Sequence, residues 1–259
     1  MAAGRPAAGD HGPGLAAGHR SRRLGPGSLV GDEMIVPAYF HPAVAPGDWA
    51  AVAAAAALVR LVVLNIADGA GERPDCVFLP ALDRLRASDI PVAGYVDTDY
   101  GRRAAELVLR EVIRYRQWYG VDEVFFDRVS TDRAHLPHYA ALARSARGLG
   151  ARGVAFHHGA YPAREYVEHA DLVGVFEGDL ADHRAVVPPR WALRCASDRF
   201  YHLVHGVPDD CVQDTIDRVT RLGAAHFAVT ERGGANPWDR LPGWFPHHTR
   251  RSRECAPGH

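Results

Sequence analysis

The chain has 259 residues, 47% of them hydrophobic, and a formal net charge of -1. That length suits one large domain or two small ones. Near-neutral charge gives no basis for a nucleic-acid partner or an anionic membrane surface, and the sequence lacks any apolar run of about 18 residues that would cross a membrane. Cys76, Cys195, Cys211 and Cys255 form no Cys-x-x-Cys pair and have no zinc-ligand spacing with histidine. No Gly-x-Gly-x-x-Gly follows a strand and no Walker motif is present, so no nucleotide or other cofactor is expected.

Residues 1–33 are rich in Gly, Ala, Pro and Arg without apolar periodicity, and read as a disordered segment. They lack the apolar core of a secretory signal, so the default expectation is a cytoplasmic protein. Met34 directly precedes the first strand-like run and is an alternative start of translation. From there strand and helix patterns alternate. Strands are expected at 35–40, 61–66, 90–96, within 121–129, and at 153–157, 172–177, 200–205 and 225–230. Helices are expected at 48–58 with Asp48 as N-cap, 77–87, 102–119, 137–149, 163–170 and from Pro208 to Gly223. In the 102–119 segment Ala105, Val108, Val112, Tyr115 and Tyr119 recur at three- and four-residue spacing, and Gly120 suits its end. Asp179 to Pro189 is the least helical connection. Eight strands, most followed by a helix, predict an α/β fold: a single (β/α)₈ barrel over residues 34–246, with a flexible tail at 247–259.

In such a barrel the carboxyl ends of all strands open on one mouth. Collected there are Tyr39, His41, Asn65, Asp97, Asp99, Asp127, His157, His158, Glu177, His205, Thr230 and Glu231. Each alone reads equally well as a cap or turn residue; together they have the composition of an active-site rim. Asp127 and Glu177 both end apolar runs, Val124-Phe125-Phe126 and Leu172 to Phe176. Two strands apart, their backbones are about 9–10 Å from each other, which allows a carboxyl separation of about 5–9 Å. That range covers both outcomes of glycoside hydrolysis. Tyr95, Tyr100, Tyr161, Trp238 and Trp244 fall on or beside mouth loops, where rings can stack on sugar faces.

Several blocks carry a resemblance: Val36-Pro-Ala-Tyr-Phe-His-Pro42, Gly94-Tyr-Val-Asp-Thr-Asp-Tyr-Gly-Arg-Arg103, Val121 to Val129, His157-His158-Gly159, Ala170 to Glu177, His205-Gly-Val-Pro208, and Thr230 through Trp244. In that order the chain resembles the spherulin-4, or spherulation-specific family 4, proteins. The resemblance implies a (β/α)₈ barrel that hydrolyses α-1,4-linked galactosamine polymer of exopolysaccharide. It implies Asp127 and Glu177 as the catalytic pair, and Tyr95, Tyr100 and Arg103 as cleft residues. With them, Tyr39, Asn65, Asp97, Arg128, His157, His205 and Trp238 make up the expected substrate-binding set.

The chain departs from the family pattern twice. Arg128 stands where the family has a second acid, and His157-His158-Gly159 where it has Asn-Pro-Gly. Three readings follow. In the first, Glu177 protonates the leaving oxygen while Asp127, held ionised by Arg128, is the nucleophile or stabilises the oxocarbenium-like transition state. In the second, the barrel binds an amino-sugar polymer or a smaller ligand without cleaving it. In the third, His157, His158, Asp127 and Glu177 hold a metal, although adjacent strand residues point to opposite faces.

Overall fold

A computed structural model describes residues 33–245. The expectations for the first 32 residues, for Pro246 and for the 247–259 tail lie outside the described residues; Glu33, expected in the disordered segment, opens the first strand. Eight parallel strands close on themselves in sequence order: β1 (Glu33–Ala38), β2 (Val59–Leu64), β3 (Val92–Asp97), β4 (Glu123–Asp127), β5 (Gly153–His157), β6 (Leu172–Asp179), β7 (Phe200–His205) and β8 (His226–Val229). The helices outside them are α1 (Pro46–Ala54), α2 (Leu79–Ala87), α3 (Ala105–Tyr119), α4 (Leu136–Gly148), α5 (Leu180–Ala185) and α6 (Val212–Arg221). The chain is thus the expected (β/α)₈ barrel.

Side-chain alternation divides the core into two layers. Outward residues such as Val62, Val124, Phe126, Val154 and Phe156 pack beneath the helices. Inward residues, including Ile35, Val63, Phe125, Ala155 and Leu203, fill the barrel. α3 shows how sequence sets a helix against this wall. Val108, Val112, Tyr115 and Tyr119 are buried on one stripe, and Gly120, at φ +62°, closes the helix in a left-handed turn that glycine adopts without strain. Gly94 of β3 leaves room for this face, since a Cβ there would lie 2.4 Å from the Tyr115 ring.

Three segments differ from expectation. α1 begins at Pro46 rather than Asp48, because proline at the first helical turn has the required φ and no N–H to satisfy. Asp48 instead accepts bonds from Arg240 and the Leu241 amide, tying down the loop after β8. The helix expected at 163–170 is a short 3₁₀ segment, Arg164–Glu168. Its Tyr166 is fully buried and donates to the Asp132 carbonyl at 2.7 Å, so packing rather than helical bonding sets its path. The weak connection after β6 does form one helix, the six-residue α5, capped by Asp179 accepting from the Asp182 amide.

Candidate active site

β4 delivers the first carboxylate by plain alternation. Phe125 points into the barrel, Phe126 outward, and Asp127 inward again at the mouth. Tyr95, its neighbour on β3, donates its hydroxyl to Asp127 Oδ2 at 2.8 Å. The strand end is fixed from behind by Thr98, fully buried, whose hydroxyl reaches the carbonyls of Asp127 and Arg128 and the Tyr139 hydroxyl.

β6 delivers the second by a different device. Leu172 faces the interior, so strict alternation would turn Glu177 outward. The register of β6 on β7 slips between Gly174 and Phe176, and Val175 and Phe176 both pack in the outer layer. This bulge re-aims the strand and Glu177 faces inward, two residues before β6 ends. Glu177 Oε2 is 2.7 Å from His157 Nε2, and Trp238 Nε1–H donates to Oε1 at 3.0 Å. His157 comes from β5, where it faces inward, and its Nδ1 is 3.0 Å from the Tyr201 hydroxyl of β7.

Arg128 does not hold Asp127 ionised, as the sequence reading had it. Its guanidinium turns along the rim, with Nε 2.8 Å from Asp97 and NH2 on Asp99. The backbone makes this possible: Arg128 has φ +50°, and Asp99 and Tyr100 have φ +46° and +55°. Non-glycine residues in that region carry strain of about 1–2 kcal/mol each, and here three of them meet at one edge of the mouth. Tyr100 is 48% exposed, with the Arg102 and Arg128 guanidiniums over its ring.

The remaining expected residues divide. Tyr39 meets the Tyr95 ring edge-on at 5.5 Å. His205 ends β7 within electrostatic reach of Glu177. Asn65 accepts from the Gly69 amide and shapes its own loop. Arg103, expected in the cleft, is committed to its neighbours: it donates to the Asp97 carbonyl at 2.8 Å and pairs with Glu111 of α3. Tyr161 and Trp244 leave the mouth, Tyr161 for Trp191 and His202, Trp244 for the outer layer. His158 faces outward onto the Ser130 carbonyl, so the two adjacent histidines cannot share a metal. Among the described residues, no group of three or more His, Cys, Asp or Glu is placed to hold one.

Sequence reasoning missed Tyr201, Thr98 and Glu111. Tyr201 was findable, because it lies on the same face as Leu203 in a strand whose inner face was expected to point at the site. Glu111 sits on the otherwise apolar stripe of α3, where it pairs with Arg103 and accepts from the Ala70 amide at 3.0 Å.

Charge separates the two carboxyls. Burial pushes Asp127 above the usual aspartate range, and the Glu177 charge adds to this against the pull of His157 and Tyr95. Burial would raise Glu177 too, but the bond and charge of His157, with Trp238, outweigh it and hold Glu177 below its usual range. Its side chain remains 36% open to the mouth. His157, disfavoured as a cation by burial, is nonetheless held above the ordinary histidine value by Glu177 and Asp127.

The fold and this mouth define a (β/α)₈ barrel with two inward carboxylates on alternate strands. The chain belongs to the spherulation-specific family 4, which it matches over residues 33–249. Spherulin-4 of Physarum polycephalum is 31% identical over 111 residues, 41% of this chain and 32% of that protein, so the match spans about a third of the relative's length. The crystal structure of Aspergillus clavatus Sph3 in complex with GalNAc superposes with a TM-score of 0.70 at 23% identity, covering 83% of this chain and 94% of that one. The Bacillus megaterium spore cortex-lytic enzyme SleL superposes with a TM-score of 0.52 at 11% identity, over 81% and 72% of the two chains. At these identities the structural likeness speaks to the fold.

Proposed function

We propose that this barrel is a glycoside hydrolase acting on a galactosamine-containing polysaccharide with α-1,4 linkages, with Asp127 and Glu177 as its catalytic pair. What carries the reading is the pair itself: two carboxylates from β4 and β6 face one mouth in environments that push their proton affinities apart. Such a split is how a fold obtains an acid and a base from like groups. The environments favour the opposite division from the one expected from sequence. Asp127, the more proton-retaining, donates to the leaving oxygen as the glycosidic C–O bond breaks. Glu177, ionised between two N–H donors, acts at the anomeric centre as nucleophile or base. Family membership and the GalNAc bound to Sph3 support an amino-sugar substrate.

The experiment is reducing-end release from partially deacetylated galactosamine polymer by the wild type, Asp127→Asn and Glu177→Gln. Release by the wild type and its loss in both variants supports the reading; near-wild-type release by Asp127→Asn rejects it. A second reading, a binding barrel without hydrolysis, draws on Arg128, a rim cation where an acid would otherwise stand, committed to Asp97 and Asp99. Polymer binding without release by the wild type would favour it.

A further inference from the structure

His157 is 3% exposed, so it lies beneath whatever occupies the mouth while touching a carboxylate that faces it. We propose that His157 is a positioning residue that fixes Glu177 as the ionised member of the pair and so decides which carboxylate carries the proton. The proposal rests on the hydrolytic reading above and names what sets its proton bookkeeping.

The geometry is built for it. The imidazole stacks between Phe125, at 5.5 Å and 20°, and Tyr201, at 5.6 Å and 19°, which fixes its plane. Nδ1 meets the Tyr201 hydroxyl at 3.0 Å, leaving Nε2 aimed at Glu177. These contacts join β5 to β7 across β6, and they exist only because position 174 is bare. A Cβ on Gly174 would lie 2.2 Å from His157 Nδ1 and 2.6 Å from the Tyr201 hydroxyl oxygen. Glu177 then accepts an N–H on each oxygen, from His157 and from Trp238. Protonating it would weaken both bonds, because N–H donors stabilise the anion more than the neutral acid.

The groups around the imidazole all bear on its charge. Asp127 from β4 and Glu177 from β6 favour the imidazolium. Tyr201 of β7 is neutral, held far above its normal range first by burial and then by the two carboxylates. Tyr95 of β3 and Tyr39, just after β1, stand behind Asp127 and are likewise neutral. His205 acts on Glu177 from the rim. His158, next on the same strand, faces away and is neutral, pushed by burial down to about 3. Two carboxylates therefore face one buried imidazole.

The test reads position on the pH axis rather than rate alone. With Glu177 as the ionised group and Asp127 as the acid, losing His157 raises both their pKa values: Glu177 loses a donor and a positive neighbour, and Asp127 loses a positive neighbour. The whole bell of kcat against pH should move to higher pH by about one unit or more in His157→Leu, and by less in His157→Gln, which keeps an amide donor. A lower rate with an unmoved bell, or a bell moved to lower pH, overturns the proposal. Imidazole ¹⁵N titration without substrate separates this from failure of the hydrolytic reading. The signal absent from His157→Gln should titrate above the ordinary histidine range in the wild type and below it in Glu177→Gln, where burial dominates. Equal titration in both proteins overturns the proposal whether or not polymer is cleaved.

Discussion

Two buried histidine sites sit on opposite sides of the same barrel wall. Inside, His157 faces two carboxylates and is held toward its cation. Outside, His202 of β7 meets His183 of α5, with Nδ1 3.0 Å from Nε2 and both side chains fully buried. The charges acting there are each other and Arg218, and burial pushes His202 to about 3 and His183 to about 4. Burial is common to both sites; the carboxylates are not. The comparison teaches that the inner layer near the mouth is organised for charge and the outer layer for neutral packing, and that a partner, not depth, decides a buried histidine's protonation.

The sharpest way to break this comparison is to remove charge from each side. Asp127→Asn and Glu177→Gln should each lower kcat by about 10³-fold or more while far-UV circular dichroism stays unchanged. The paired change His183→Leu and His202→Leu should leave kcat at pH 7 within about twofold, since nothing there faces the mouth. Equal losses from both sides would erase the distinction.

The next effect is on stability. His158, His183, His202 and His226 are all buried with pKa values pushed down, to about 3, 4, 3 and 4. Their folded values lie below the unfolded value of about 6.5, so the unfolded chain binds more protons. The stability they contribute is present above that value and lost as pH falls toward the folded pKa values. Urea midpoints should therefore decline from about pH 6.5 to about pH 4, each histidine adding up to about 1.4 kcal/mol per pH unit to the slope. The His183→Leu and His202→Leu pair should flatten it by up to about two protons. An unchanged slope would show that these side chains are not neutral in the fold.

The smallest effect is at the rim. Arg128→Ala and Arg128→Gly remove the same half-exposed ion pairs, worth about 0–1 kcal/mol each. They differ in backbone, because Arg128 sits at φ +50°. The glycine variant should be the more stable by about 1 kcal/mol in chemical denaturation. Equal stability would mean the left-handed turn carries no strain.

Sequence made the barrel legible because buried parallel strands are short apolar runs at regular intervals, and α3 carries an unbroken stripe. Strand ends moved by up to two residues, since apolar pattern does not mark where ladder bonds stop. Asp127 was readable as a mouth residue, being two positions beyond the inward Phe125. Trp238 was readable as a loop residue, though not as the donor to Glu177. The direction of Glu177 was not readable, because counting alternate residues from Leu172 sends it the wrong way. Arg103 and Arg128 misled for one reason: an arginine near a site declares its charge in sequence but not its partner, and Arg103 found the Asp97 carbonyl and Glu111 of α3 while Arg128 found Asp97 and Asp99 across the strand ends.

The slipped register at Val175 has a further consequence. Lengthening β6 by a single residue between Phe176 and Glu177, with the slip kept, would swing the Glu177 side chain toward the helices. The barrel would stay closed while its second acid vanished from the mouth. Gain of one codon would thus break up the carboxylate pair with no substitution at any residue of the mouth.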